Sequence, residues 1–155
     1  MLWRSRAVGY GRLPDTPAPD ALAQRVATSG LRRIHMLAWR DLEDVEAGGS
    51  EIHAHEIAKR WAAAGLEVTM RTSYAQGHAS VVQRDGYRVI RRAGRYLVFP
   101  RAVLSEAVER HGPWDAMVEI WNGVPFLSPL WTRGRPGAVF LPHVHFMNET
   151  RVSRL

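Results

Sequence analysis

The residues best placed to do chemistry lie in one short run, Ala47-Gly48-Gly49-Ser50-Glu51-Ile52. Gly48 and Gly49 carry no side chain, so a ligand can come close to the backbone there. A helix starting at this point would present N–H groups that have no partner within the helix. Those donors, with the positive end of the helix dipole, suit an anion and above all a phosphate. The same glycines also serve a plain strand-to-helix turn, and spacing alone does not separate the two readings. The GxGxxG fingerprint of dinucleotide-binding turns is missing. The next strand ends in Arg71-Thr72-Ser73, with no acid to hold a ribose, which argues against a nicotinamide site. No cofactor is expected.

Other residue types were weighed in the same way. Glu119 sits in an apolar stretch, and if buried it needs a partner. Asn122 follows it. His143 and His145 lie two apart on an extended segment and share a face. With Glu149 they sketch a metal site, but a lone HxH is a weak signal and no metal is expected. His53 and His55 fall on the expected exposed half of a helix. Asp41, Glu43, Asp44 and Glu46 make an acidic loop, read as solvated or as polar contacts for a ligand. The tryptophans read as core or edge packing. No P-loop and no nucleophile elbow is present.

These residues need a scaffold to place them. Arg33–Trp39 is apolar enough for a buried strand, Arg40–Gly49 is a polar loop, Ser50–Ala64 a helix and Leu66–Thr72 a second strand. That is one βαβ unit. The helix rests on Ala54, Ile57, Ala58, Trp61 and Ala62, one apolar stripe, with Ser50 as N-cap and Gly65 at the C′ position. Tyr74–Gln83 reads as loop, Asp85-Gly86 as a tight turn and Tyr87–Arg92 as a strand. Tyr96–Phe99 is expected to be a further short strand. Pro100 then opens a helix to about His111 with Ala102, Val103, Ala107 and Val108 inward. Trp114–Trp121 and Gly137–Leu141 are strands, and Val124–Trp131, with two prolines, is irregular. Alternating strands and helices imply an α/β fold with a doubly wound, mostly parallel sheet. Ligands in such sheets bind beyond the C-terminal strand ends. Those ends supply Asp41–Gly49, Ser73, Glu119–Asn122 and His143, all on one rim.

Residues 1–32 read as a poorly ordered extension, with a short helix at Ala21–Thr28 capped by Asp20. Residues 33–155 form the domain. At 155 residues the chain has room for one ordinary domain, and 46% hydrophobic content suits a packed core. There is no apolar run long enough to span a bilayer and no signal segment. Cysteine is absent, which excludes disulfides. The net charge is +6, and Lys59 is the only lysine. An arginine-for-lysine bias accounts for much of the charge, and no basic motif with interleaved aromatics is found, so nucleic acid is not expected as a partner.

Three segments resemble glycosyltransferase family 4. The stretch WRDLEDVEAGGSEIHAHEIAKRWAAAGLEVTMRTS is similar to the family's opening, with the glycine pair before the first helix. GYRVIRRAGRYLVF looks like its "dG-v-V-R-r-G-r-y-t-V" segment, and DAMVEIWNGVPFLSPLW its "D-x-v-x-E-x-n-g-x-P-f-f-t-P-l-y" segment. Order and spacing agree over residues 33–145. The resemblance implies a Rossmann-like domain, the N-terminal, acceptor-side half of a GT-B glycosyltransferase. Such enzymes transfer a sugar, with retention and without a metal, from a nucleotide-sugar donor to a glycan, lipid or small-molecule acceptor.

Carried over by motif, Gly48, Gly49 and Ser50 would meet phosphate, and Glu119 and Asn122 would lie at the acceptor rim. His143 would be the cleft histidine in a catalytic role. Relatives continue as "H-x-x-H-R-e-x-W" where this chain reads HVHFMNETRVSRL, and the family's donor-binding domain is missing. The expectation is therefore an acceptor-side fragment, or a half that pairs with a separate C-terminal half, inactive by itself. Its place would be the cytoplasm or the inner membrane face. The alternative is a non-catalytic Rossmann-like module that binds phosphate, a nucleotide-sugar or a partner.

Overall fold

The structure, a computed structural model, describes residues 19–141. Six strands form one sheet in the order β3-β4-β2-β1-β5-β6. They are β1 (Arg33–Leu37), β2 (Glu67–Thr72), β3 (Val81–Arg84), β4 (Tyr87–Arg91), β5 (Ala116–Ile120) and β6 (Gly137–Phe140). Only the β3–β4 pair is antiparallel. The five parallel strands thus run third, second, first, fourth, fifth across the sheet, an order compatible with a Rossmann-like fold. Helices α1 (Pro19–Ser29), α2 (Gly49–Ala63), α3 (Val98–Ala107) and α4 (Ser128–Trp131) complete the described chain.

Side chains alternate along each strand, and the two faces have separate cores. On one face α2 lays Ala54 and Ala58 on Ile34, Met36, Val68, Met70 and Val89. Val26 and Leu31, in and just after α1, pack partly buried on the same cluster. On the other face α3 brings Val98, Phe99 and Ala102 onto Leu37, Trp114, Met117 and Phe126. The helix foreseen at Ala21–Thr28 is therefore present, although Asp20 lies within it rather than capping it.

Four local expectations fail for identifiable reasons. The N-cap of α2 is Gly48, in extended conformation, so Ser50 lies inside the first turn. The segment Tyr74–Gln83 is not all loop: its end enters β3, because the two-residue Asp85-Gly86 turn pairs Arg84 with Tyr87. Both turn residues have positive φ, 45° and 85°, as a primed hairpin turn requires. The strand expected at Tyr96–Phe99 is instead the approach to α3. Val98, Phe99, Ala102, Ser105 and Glu106 are its buried positions, a helical stripe whose packing overrides the β-propensity of Tyr96-Leu97-Val98-Phe99. The same stripe turns Val108 outward, 70% exposed, and Ser105 and Glu106 inward. Gly65, at φ +98°, does follow the end of α2 as foreseen.

Candidate functional site

The sheet reverses its winding between β1 and β5, and the crevice beyond their C-terminal ends is where such folds place ligands. Two segments meet there. One leaves β1 and runs through Asp41 to the glycine pair. The other leaves β5 through Trp121 and Asn122. They are joined by the Asn122 side chain, whose Nδ2 donates to Ser50 Oγ at 2.7 Å and to Glu51 Oε1 at 3.2 Å. Gly48, Gly49, Ser50 and Asn122, nominated from distant parts of the sequence, therefore line one spot.

A carboxylate of the chain itself already holds part of the helix N-terminus. Glu51 Oε2 accepts the Gly48 N–H at 2.8 Å and the Ser50 hydroxyl at 2.9 Å. Arg40 Nε reaches Glu51 Oε1 at 3.3 Å. Burial works to raise the Glu51 pKa, but these donors outweigh it and hold the carboxyl below its ordinary value. Among the described residues, the N–H groups of Gly49 and Ser50 find no acceptor. The free donors of the turn are thus narrowed to these two, with Gly49 exposed at the mouth.

In the acidic loop Glu43 and Glu46 are exposed, as a solvated loop would have them, but Asp41 is not. Asp41 is 1% exposed. Arg84 grips it with two bonds, 2.8 and 3.2 Å, and Arg91 Nε donates to it at 2.8 Å. Burial alone would raise its pKa, yet the two arginines lower it on balance. Glu43 joins through Arg91 and Arg84, and Glu46 pairs with Arg40 and Arg95. This network ties the β1–α2 loop to β3 and β4 and fixes the approach to the glycines. The Arg40 and Arg95 guanidinium groups both lie over the Trp39 ring, at 4.8 and 5.2 Å. Trp39 is thereby engaged, and Trp121, 38% exposed, is an accessible aromatic beside Asn122.

Glu119 is not a rim residue. It is 1% exposed, and its two oxygens accept the N–H groups of Phe126 at 2.6 Å and Ser128 at 2.9 Å. Its work is to fold the loop after β5 back over the strand, around Leu127 at φ 55°. His143, with His145 and Glu149, lies outside the described residues. Among the described residues no group of three or more histidines and carboxylates could hold a metal ion. His55 is not simply solvated either: it bonds the Tyr87 hydroxyl at 2.8 Å and faces Asp85 at 3.5 Å. His53 is exposed and stacks on Phe140 at 4.7 Å.

Sequence reasoning missed a second polar group under α3. His35, Arg71 and Glu106 are all at least 97% buried. His35 Nδ1 meets Glu106 Oε2, and Arg71 Nε stands 3.6 Å from Glu106 Oε1. The signal was available in principle, since Arg71 and His35 occupy strand positions facing α3. The inward position of Glu106 was hidden by the mistaken start of that helix. No described helix is long and apolar enough to cross a membrane. Comparison with models of known protein families and with curated proteins returns no match for this chain.

Proposed function

We propose that this is the acceptor-side Rossmann-like domain of a family 4, GT-B glycosyltransferase. The observation that carries the reading is the Asn122–Ser50 contact, 2.7 Å across the crevice. It joins two of the three segments that resemble the family, at the place where a doubly wound sheet takes its ligand. In this reading the Gly49 and Ser50 N–H groups touch the donor diphosphate at its edge. Asn122 and Trp121 form the acceptor wall, and the sugar itself is held by a facing donor domain. Transfer then depends on closure of the two walls, which places donor and acceptor in line and excludes water. The domain alone transfers little or no sugar.

One observation favours a second reading, a Rossmann-like module that takes no phosphate at this turn. The Glu51 carboxylate already neutralises the first turn of α2. The two readings separate in a titration of the amide signals with a nucleoside diphosphate. In the first, the Gly49 and Ser50 signals move in the native protein, and the Ser50 signal stays still in Gly49→Val. A native protein whose glycine signals ignore the diphosphate refutes the first reading. Robust sugar transfer by the isolated domain would contradict its dependence on a second wall.

A further inference from the structure

The face of the sheet under α3 is only half covered by apolar packing. Helix α3 seats its apolar stripe over β1 and β5. Over β2 and β4 the same face carries Thr69, Arg71, Arg88, Ile90 and Arg92. The register sets Thr69 beside Arg88 and Arg71 beside Ile90. Arg101 from α3 and Arg110 from the turn after it close over this region. Together with Arg92, Ser105 and His111 they line a cavity of about 230 Å³.

Charge here is unbalanced. Arg71, Arg88, Arg92, Arg101 and Arg110 are served by one nearby carboxylate, Glu106, which is already in contact with His35. Among the described residues only Arg71 of the five meets a carboxylate, and its contact with Glu106 is long at 3.6 Å. Arg88 spends its donors on Thr69 Oγ1 and the His111 carbonyl. Among the described residues, Arg71, with its side chain 1% exposed, has no hydrogen bond from any of its three nitrogens, and Arg92 Nε is likewise buried and unpaired. Leaving a buried guanidinium nitrogen without an acceptor is costly; Arg71 lies behind the cavity, but Arg92 lines it, so this wall suits a group that accepts. His111 responds to the same field: burial, then the charge of Arg71, bring its pKa down to about 4.

The cavity opens sideways into a second, larger one of about 600 Å³ that shares Arg101, Ser105 and Arg110 with it. Its other lining is apolar and includes Leu97 and Leu104, both 69% exposed, and Val108. We infer that the cleft between α3 and the β2–β4 face is an anion site. It takes a phosphate monoester, with the phosphate among Arg92, Arg101 and Arg110 and an apolar substituent along Leu97, Leu104 and Val108. Phosphate fits because its several oxygens can each accept from a fork of guanidinium donors. The inference does not rest on the crevice reading.

The test uses the full chain, with Arg101→Gln/Arg110→Gln as the variant. Both arginines are exposed and lie outside the two apolar clusters, so the variant is expected to fold. Its far-ultraviolet dichroism and thermal midpoint in phosphate-free buffer confirm this. Inorganic phosphate and a short-chain alkyl phosphate are titrated by calorimetry and by the His111 ring signals. A parallel arm measures co-sedimentation with phosphatidylcholine vesicles, with and without phosphatidic acid. Native protein should bind the alkyl phosphate more tightly than phosphate, and each lost arginine should weaken binding about tenfold or more. Binding seen with the soluble ester identifies a free ligand. Binding seen only with phosphatidic acid vesicles, and lost in the variant, identifies a lipid phosphate. No binding in either arm, equal binding by the variant, or equal binding to vesicles lacking phosphatidic acid overturns the inference.

Discussion

Replacing Asp41 by Asn tests whether the loop before the glycines is held by charge. The carboxylate is buried and accepts four close contacts from two arginines, between 2.7 and 3.2 Å. Asparagine keeps one acceptor and turns an NH₂ toward donors of Arg84 or Arg91. Arg91, with its side chain 1% exposed, then loses its buried carboxylate and keeps the outer carboxylate of Glu43 and the Ala79 carbonyl. Breaking one member of a buried ion network costs about 3–5 kcal/mol. That is a large part of the ~5–15 kcal/mol that holds a domain together. It corresponds to a fall in Tm of roughly 10–20 °C. Glu43→Gln is the control: its side chain is 40% exposed and touches the same arginines, so it should cost under about 1 kcal/mol. The pH dependence adds a second readout. The folded Asp41 pKa is lowered, so its contribution is complete above the unfolded value of about 3.9 and is lost as pH falls through the folded one. The gap between native and Asp41→Asn in urea melts should therefore narrow in acid. A variant within about 1 kcal/mol of native, with a gap that ignores pH, refutes the argument.

Three further outcomes follow from the same geometry. Glu119→Gln places an NH₂ against the Phe126 or Ser128 N–H; it should lower stability by about 2–4 kcal/mol and speed hydrogen exchange at those two amides. Ser50→Ala and Asn122→Ala should each cost about 1 kcal/mol, but the double variant should show at least about 0.5 kcal/mol of coupling. A capping role for Ser50 would give simple additivity instead. His111, with a folded pKa near 4, is neutral at pH 5 while the unfolded chain is largely protonated. Stability should thus fall as pH drops from about 6.5 to about 4 and level off below that, by about 1–2 kcal/mol after allowing for partial exposure. His111→Asn should flatten that limb of the profile.

The parts of the fold legible in the sequence were those with one dominant local signal. The stripe from Ala54 to Ala62, the Asp85-Gly86 turn and the apolar strands β1, β2, β4 and β5 all appear where periodicity puts them. What failed was decided by neighbours distant in sequence. Val81 and Val82 form a strand because β4 is there to pair with. Tyr96–Phe99 bends into a helix approach because Val98 and Phe99 find Leu37 and Met117. The convergence of Ser50 and Asn122 follows from strand order, once β1 and β5 are adjacent. The burial of Asp41 and Glu119 was not legible. A loop carboxylate such as Asp41 looks the same in sequence whether it meets water or Arg84 and Arg91, and a strand carboxylate such as Glu119 does not show whether its partner is a ligand at the rim or the Phe126 and Ser128 N–H groups.

The strongly basic balance, +6 overall, takes on a different meaning once the arginines are sorted by face. In β4 the alternation sends Arg91 toward α2 and Arg88 and Arg92 toward α3. On the α2 side Arg91 and Arg84 are matched by Asp41 and Glu43. Near the crevice Arg40 and Arg95 are matched by Glu46 and Glu51. Arg33 and Arg135 have Asp115 and Glu109, and Arg33 holds the Asp115 pKa down to about 2. Of the rest, Arg25, Arg32, Lys59, Arg60 and Arg133 lie exposed on the surface, and Arg71, Arg88, Arg92, Arg101 and Arg110 cluster at α3 and the sheet face beneath it. A compositional drift toward arginine would scatter unmatched charge over the solvated surface, where it costs little. Here part of it is buried, where an unmatched charge is expensive. Compositional bias therefore accounts for the exposed arginines but not for the buried Arg71 and half-buried Arg92, which stand beside the face where the anion is proposed to bind.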